Sequence, residues 1–136
     1  MSIVNDIMKR LSRRAIPLSA DPEFVENVEA TNPQVVLKKL ADIPIQTWNY
    51  KSEDPAIRHM GPMAQDFYGA FGLGNTDKHI FHMDAIGVCL ASIKGLNQLI
   101  EEQNHRIAQN QEKLEKNARL LEKLADLVSE QSEGID

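Results

Sequence analysis

The chain has 136 residues and a net charge of −5, with 26% charged and 42% hydrophobic residues. This length and composition suit one small core with an extension, and they exclude a disordered chain. The acidic balance argues against nucleic-acid binding, and no apolar run is long enough to cross a membrane. The single cysteine, Cys89, excludes an internal disulfide and a four-cysteine zinc site. No apolar core follows the charges of the N-terminus, which predicts no signal peptide and synthesis in the cytoplasm.

Residues 1–18 are predicted to be a lead-in that joins the chain to an upstream region. The segment combines apolar residues at helical spacing with a basic cluster; these are Ile3, Ile7, Met8 and Leu11, and Lys9, Arg10, Arg13 and Arg14. A basic arm that binds anions or nucleic acid is one interpretation. A solvated linker is the simpler one, and we prefer it.

Residues 19–83 are predicted to fold into a compact module that contains a helix, a β-hairpin and a second helix. Asn32 followed by Pro33 predicts a helix start, because the asparagine side chain caps free backbone N–H groups and proline presets φ. The β-branched and aromatic residues of segment 45–51 predict a strand. A second short strand at residues 57–60 can pair with it to make the hairpin.

The second helix of the module is predicted to begin at Met63, after the Gly-Pro pair that breaks the strand. Met63, Phe67 and Phe71 are four residues apart, so they share one face of this helix. Gly72 ends it, because glycine takes the left-handed cap at low cost. Together with the aromatic residues of the hairpin, these side chains form the predicted module core: Trp48, Tyr50, Met63, Phe67 and Phe71.

Residues 84–132 contain no proline and are predicted to form one long helix that Asp84 caps, followed by a tail at 133–136. A helix of this length cannot bury its apolar stripe on a small module, so helical partners are implied. Alternating steps of three and four residues give a coiled-coil seam with apolar d positions and mostly polar a positions. The d positions are Ile86, Ile93, Ile100, Ile107, Leu114, Leu121 and Val128; the a positions are Leu90, Asn97, Asn104, Gln111, Ala118 and Ala125.

Two glycines lie near the start of this helix, at Gly87 and Gly95. Each costs about 1 kcal/mol of helix stability relative to alanine, so we predict that another group packs closely against the backbone there. The polar a positions Asn97, Asn104 and Gln111 are predicted to fix the register of the helices. An ion held between these polar layers is a second interpretation. The seam itself leaves the number of helices open.

Residues that carry chemistry are few. His79 and His82 could serve as metal ligands, but in an extended segment they would point to opposite sides, so we predict no metal site and no cofactor. Nucleotide-binding and hydrolase motifs are absent from the sequence.

The segment HMGPMAQDFYGAFGLGNTDKHI and the helix start MDAIGVCLASIKGLNQLIEEQ resemble the C-terminal intramolecular chaperone domain of phage endosialidases, tail fibres and tail spikes. The upstream LKKLADIPIQTWNYK is similar to that family's helix-then-strand lead-in, and the resemblance covers roughly residues 20 to 105. It implies that three copies associate through their long helices, align the upstream chains and template a β-stalk. It also implies synthesis in the cytoplasm of a host bacterium and a final place in a virion tail fibre or a similar appendage.

The same resemblance implies self-cleavage at the N-terminal boundary of the domain. In that family a serine before an aspartate is the nucleophile, and a lysine five residues later is the general base. Here Ala20 and Val25 occupy the serine and lysine positions, next to Asp21, and Glu23 replaces an arginine. Neither an alanine nor a valine side chain can attack a carbonyl or accept a proton, so we predict no catalytic residue.

The predicted fold is therefore mainly α with a small β-hairpin, ending in a homotrimeric coiled coil. We predict an intramolecular chaperone that trimerises and registers an upstream β-rich fibre without autoproteolysis. Its expected partners are further copies of itself and the upstream β-stalk of the same polypeptide, with no nucleic acid and no membrane. The alternatives are an active self-cleaving peptidase of the Ser-Lys type and a permanent structural trimerisation tag.

Overall fold

The computed structural model describes residues 20–133. In chain order they form α1 (Pro33–Asp42), β1 (Gln46–Trp48), β2 (His59–Gly61), α2 (Ala64–Phe71) and α3 (His82–Glu133). The prediction of a mainly helical chain with a small antiparallel hairpin and a long final helix is confirmed. The basic lead-in and residues 134–136 of the predicted tail lie outside the described residues.

The start of α1 follows the predicted cap. The Asn32 side-chain oxygen accepts hydrogen bonds from the backbone N–H groups of Gln34 and Val35, at 3.0 and 3.3 Å. Pro33 is the first helical residue, where its missing N–H has no intrahelical partner to lose. The cap therefore satisfies two of the free donors that every helix N-terminus leaves.

The hairpin is shorter than predicted, with three residues in each strand. Thr47 pairs with Met60 at its centre. The first strand ends at Trp48 rather than at residue 51, because the backbone N–H of Glu53 turns back to donate to the Tyr50 carbonyl at 3.2 Å. The Arg58 guanidinium links the two sides of the hairpin, because it donates hydrogen bonds to the side-chain oxygens of Asn49 and Thr47. Residues 49–51, which β propensity predicts to be part of the strand, therefore belong to the turn.

The second helix, α2, ends as predicted. Gly72 has a φ of +62° and its N–H donates to the Tyr68 carbonyl at 2.8 Å, which closes the last turn. Residues with a Cβ adopt this left-handed conformation at a cost, so the glycine defines where the helix stops.

The long helix α3 has 52 residues, which corresponds to about 78 Å. It begins at His82, so the predicted cap at Asp84 is wrong and the extended segment ends at Phe81. The Ala85 N–H donates to the Phe81 carbonyl at 3.1 Å, which already places His82 inside the helix. Asp84 lies in the first turn, where its carboxylate still meets the positive end of the helix dipole.

The core of the module lies where α1 crosses the first four turns of α3. Val88, Ser92 and Gly95 are buried on this side of α3. A Cβ added to Gly95 would lie 2.6 Å from the Pro33 carbonyl oxygen, so the close packing predicted at Gly95 is confirmed and α1 supplies the contact. At Gly87 an added Cβ meets nothing within 4 Å, so the close contact predicted there is absent from the described chain.

Candidate functional site

The largest unpartnered feature of the described chain is the seam of α3. All its large apolar members are exposed, with exposed fractions between 49% and 67%; they are Ile86, Leu90, Ile93, Ile100, Ile107, Leu114, Leu121 and Val128. The small members Ala118 and Ala125 are exposed as well. This row runs along nearly the whole helix, so it is a mainly apolar surface about twelve turns long.

The module and the seam lie on different sides of α3. Val88, Ser92 and Gly95 face α1 and are buried, whereas Leu90 and Ile93 between them are each 63% exposed. A helix periodicity of 3.6 residues separates these two sets onto different faces. The upper part of α3 is therefore covered by the module on one side and leaves its seam open on the other.

The lower part of α3 touches nothing else in the described chain. Every residue from 99 to 133 is exposed. The polar positions Asn104 and Gln111 are exposed here, and Asn97 just above them donates to the Glu101 carboxylate at 2.9 Å within its own helix. All three polar side chains thus lie on the open surface with the apolar ones.

A second row of leucines runs beside the lower seam, and the sequence reasoning missed it. Leu120, Leu124 and Leu127 are between 49% and 58% exposed. They repeat at steps of four and three residues, as the seam does, so the same spacing test applied one residue earlier would have found them. The lower third of α3 consequently exposes a broader apolar face than the middle third.

The hairpin residues of the predicted module core form an aromatic cluster. The ring of Trp48 lies 4.8 Å from that of Tyr50 and 4.9 Å from that of His59, which stacks on it. Glu53 fixes the imidazole through a 2.8 Å contact to its Nε2 atom. Trp48 and His59 are half-buried and Tyr50 is 52% exposed, so the cluster lies at the surface with two partly covered members.

The helical residues of the predicted core lie deeper. Phe67 is 4% exposed and its ring lies 5.0 Å from that of Phe71, which is half-buried, as is Met63. The structure therefore places four of the five predicted residues in two groups, an aromatic cluster on the hairpin and a phenylalanine pair on α2, and Met63 lies at the N-cap of α2.

The positions of the family dyad lie in an exposed irregular segment before α1. Ala20, Asp21 and Val25 are all exposed. The Asp21 carboxylate accepts a hydrogen bond from the Glu23 N–H at 3.0 Å, and its backbone carbonyl accepts one from the Phe24 N–H at 2.9 Å. Asp21 thus holds a tight turn, while Ala20 and Val25 contribute no group that could act as nucleophile or base.

Other kinds of site find no support in the part of the chain that the structure describes. Residues 20–133 contain no group of three or more His, Cys, Asp or Glu side chains placed to hold a metal ion. Within the same range no helix is both long enough and apolar enough to cross a membrane.

Residues 21–72 match the model of the family described as chaperone of endosialidase. The chain therefore carries an endosialidase chaperone domain. The match covers α1, the hairpin and α2 and ends at Gly72. It does not include the upper part of α3, although the resemblance extends to about residue 105. This family consists of self-cleaving, serine-peptidase-like chaperones. The predicted association with phage tail fibres is consistent with this family. No curated protein and no solved structure matched the chain.

Within the endosialidase chaperone domain the match begins at Asp21, directly after the position of the family nucleophile. The exposed segment that follows it, residues 21–30, is consequently part of the matched domain. The long seam of α3 lies outside the match, so its role rests on its own geometry.

Proposed function

We propose that this chain is an intramolecular chaperone that trimerises through α3 and registers a β-rich fibre joined to its N-terminal side. In this proposal it does not cleave itself through the family dyad. The matched endosialidase chaperone domain supplies the function class. The exposed seam of α3 is the observation that carries the association of the helices, and the number three comes from the resemblance.

An isolated helix in water is marginal, and the lower part of α3 has no partner among residues 20–133. Burial of one isoleucine or leucine side chain is worth about 1.5–3 kcal/mol relative to exposure. The seam offers eight large apolar side chains per copy. Association of several α3 helices is thus the arrangement that would stabilise this segment.

The charges beside the seam favour parallel helices. The residues that follow the d positions include three glutamates and one lysine, Glu101, Glu115, Glu122 and Lys94, whereas those that precede the a positions carry no charge. In a parallel coiled coil these two flanking rows face each other, so Glu115 and Glu122 lie opposite Asn110 and Asn117. In an antiparallel pair the glutamate rows would face one another, which is repulsive. Parallel helices would also bring all N-terminal ends to one level.

A chaperone that aligns three upstream chains requires the N-terminal ends of its helices to lie at one level. Each module covers α3 on the side away from the seam, so in a parallel bundle three modules would surround the upper end of the helices. Three upstream chains would then enter side by side and in phase. Alignment removes much of the loop-closure entropy that makes non-local β pairing slow, and the β-stalk would nucleate faster.

The first experiment measures the mass of the purified chain by multi-angle light scattering. A particle of three times the 15.3 kDa chain mass is expected. A dimer or a single chain would overturn the templating mechanism.

A second experiment separates a chaperone from a permanent tag. A fibre stalk joined upstream of residue 1 is refolded with the domain present, and the domain is then cut off at an inserted protease site. A stalk that stays trimeric after removal, but fails to refold without the domain, supports the chaperone. A stalk that refolds equally well alone would support the tag.

Autoproteolysis is tested by intact mass spectrometry after folding and prolonged incubation. The mass is expected to stay unchanged, because Ala20 has no nucleophilic atom and Val25 has no basic one. The Ala20→Ser variant is expected to stay intact too, since it still lacks a base. A clean cut near residue 20 in the unmodified chain would restore the peptidase alternative.

A further inference from the structure

A groove of about 260 Å³ lies between α1, the end of α2 and the start of α3. We call it the α1–α3 groove; its lining includes Asn32, Val35, Lys39, Phe71, Gly87 and Ala91. This volume lies below the roughly 300–1,000 Å³ of pockets that enclose small molecules. Gly87 keeps the groove open, because any side chain at that position would project into space that is now empty. Its size suits one or two apolar side chains.

Two largely exposed apolar side chains lie in the segment just before α1. Phe24 is 77% exposed and Val28 is 81% exposed. The turn at Asp21 holds the backbone around Phe24, and Asn27 has a φ of +55°, a conformation that few residues other than glycine adopt. The backbone of the segment is therefore held in a defined conformation, yet most of the surface of Phe24 and Val28 is uncovered by residues 20–133.

The charges of the segment and the groove are complementary. Between residues 20 and 30 the chain carries Asp21, Glu23, Glu26 and Glu29 and no lysine or arginine. The α1 wall of the groove carries Lys39, with Lys38 next to it, while Asp84 lies on the α3 wall. An acidic segment that crosses the α1 wall would meet both lysines.

We propose that Phe24 and Val28 of one copy occupy the α1–α3 groove of a neighbouring copy. This inference rests on the proposed trimer and names a contact within it. Gly87 directly follows the seam residue Ile86, so the groove opens at the flank of the surface through which the next copy approaches. The acidic segment of residues 20–30 thereby ties the upstream end of each chain to the module of its neighbour. Such a strap fixes the phase of the three entering chains as well as their level.

The direct test places a photoreactive phenylalanine at position 24 of the full chain. Unlabelled and heavy-isotope-labelled copies are mixed, unfolded, refolded together and cross-linked, and the linked peptides are identified by mass spectrometry. Links between light and heavy copies that end near Val35 or Gly87 are expected. Links within one copy only, or links that end elsewhere, would overturn the inference.

Light scattering on the same sample keeps this inference distinct from the proposed function. A trimer without cross-links to the groove would refute the strap and leave the chaperone proposal intact. A single chain would refute both.

A matched pair of variants tests the groove itself by chymotrypsin cleavage after Phe24. Gly87→Leu fills the groove, whereas Gly69→Leu adds the same side chain to another helical glycine that has open space around it. Cleavage is expected to rise about tenfold in Gly87→Leu and to stay unchanged in Gly69→Leu, because proteolysis tracks the released fraction. Unchanged cleavage in Gly87→Leu, or an equal rise in both variants, would contradict the strap.

Discussion

The crossing of α1 over α3 depends on the absence of a side chain at Gly95. In Gly95→Ala the new methyl group would lie 2.6 Å from the Pro33 carbonyl oxygen and 2.9 Å from its carbon. Ordinary contacts begin near 3.4 Å, so α1 must move away by about 0.8 Å. The atoms in the way belong to the backbone of a capped helix, which cannot rotate aside as a flexible side chain would.

Two opposing terms determine the magnitude. Replacement of a helical glycine by alanine stabilises the helix by about 1 kcal/mol. Overpacking of a closely packed interior costs about 1–3 kcal/mol, and a backbone clash belongs to the upper half of that range. We therefore expect Gly95→Ala to lower the free energy of unfolding by about 1–2 kcal/mol.

The assay is urea unfolding, followed by fluorescence of the single tryptophan, Trp48, at a fixed chain concentration because association affects apparent stability. Gly69→Ala is the control, since a Cβ there meets nothing within 4 Å, and it is expected to gain up to about 1 kcal/mol. If Gly95→Ala proves as stable as the unmodified chain, the close crossing of α1 and α3 is refuted.

Three further substitutions test the cap, the end of α2 and the seam. Asn32→Ala removes the oxygen that caps α1 and is expected to cost about 1 kcal/mol in urea unfolding, whereas Asn32→Asp keeps the cap; equal midpoints for both would contradict it. Gly72→Ala forces a Cβ into a φ of +62° and is expected to cost about 1–2 kcal/mol by the same measurement, with Gly69→Ala again as control. Ile107→Asp replaces about 1.5–3 kcal/mol of apolar burial per chain with a buried carboxylate and is expected to reduce the light-scattering mass to that of one chain. Gln109→Asp, on another face of α3, should leave that mass unchanged, and a trimer that survives Ile107→Asp would argue against the seam.

Several features of the fold follow from the sequence because they depend on neighbouring residues only. Asn32 and Pro33 predict the start of α1, and Gly72 predicts the end of α2, since each acts on backbone groups within one turn. The period of the apolar residues likewise predicts the long helix and the apolar row along it. That neither Ala20 nor Val25 can act as a nucleophile or a base follows from residue type alone.

The tertiary structure determined the features for which local sequence rules make no distinction between positions. Gly87 and Gly95 are the same residue in the same helix, about two turns apart. Only at Gly95 would a Cβ meet α1, because the Pro33 backbone lies against that turn and not against the turn of Gly87. The start of α3 at His82 and the short strands of the hairpin also depend on turns that residue propensity does not encode. Periodicity showed that α3 has an apolar row, but only the packing of α1 on Val88, Ser92 and Gly95 determined which side of the helix remains open.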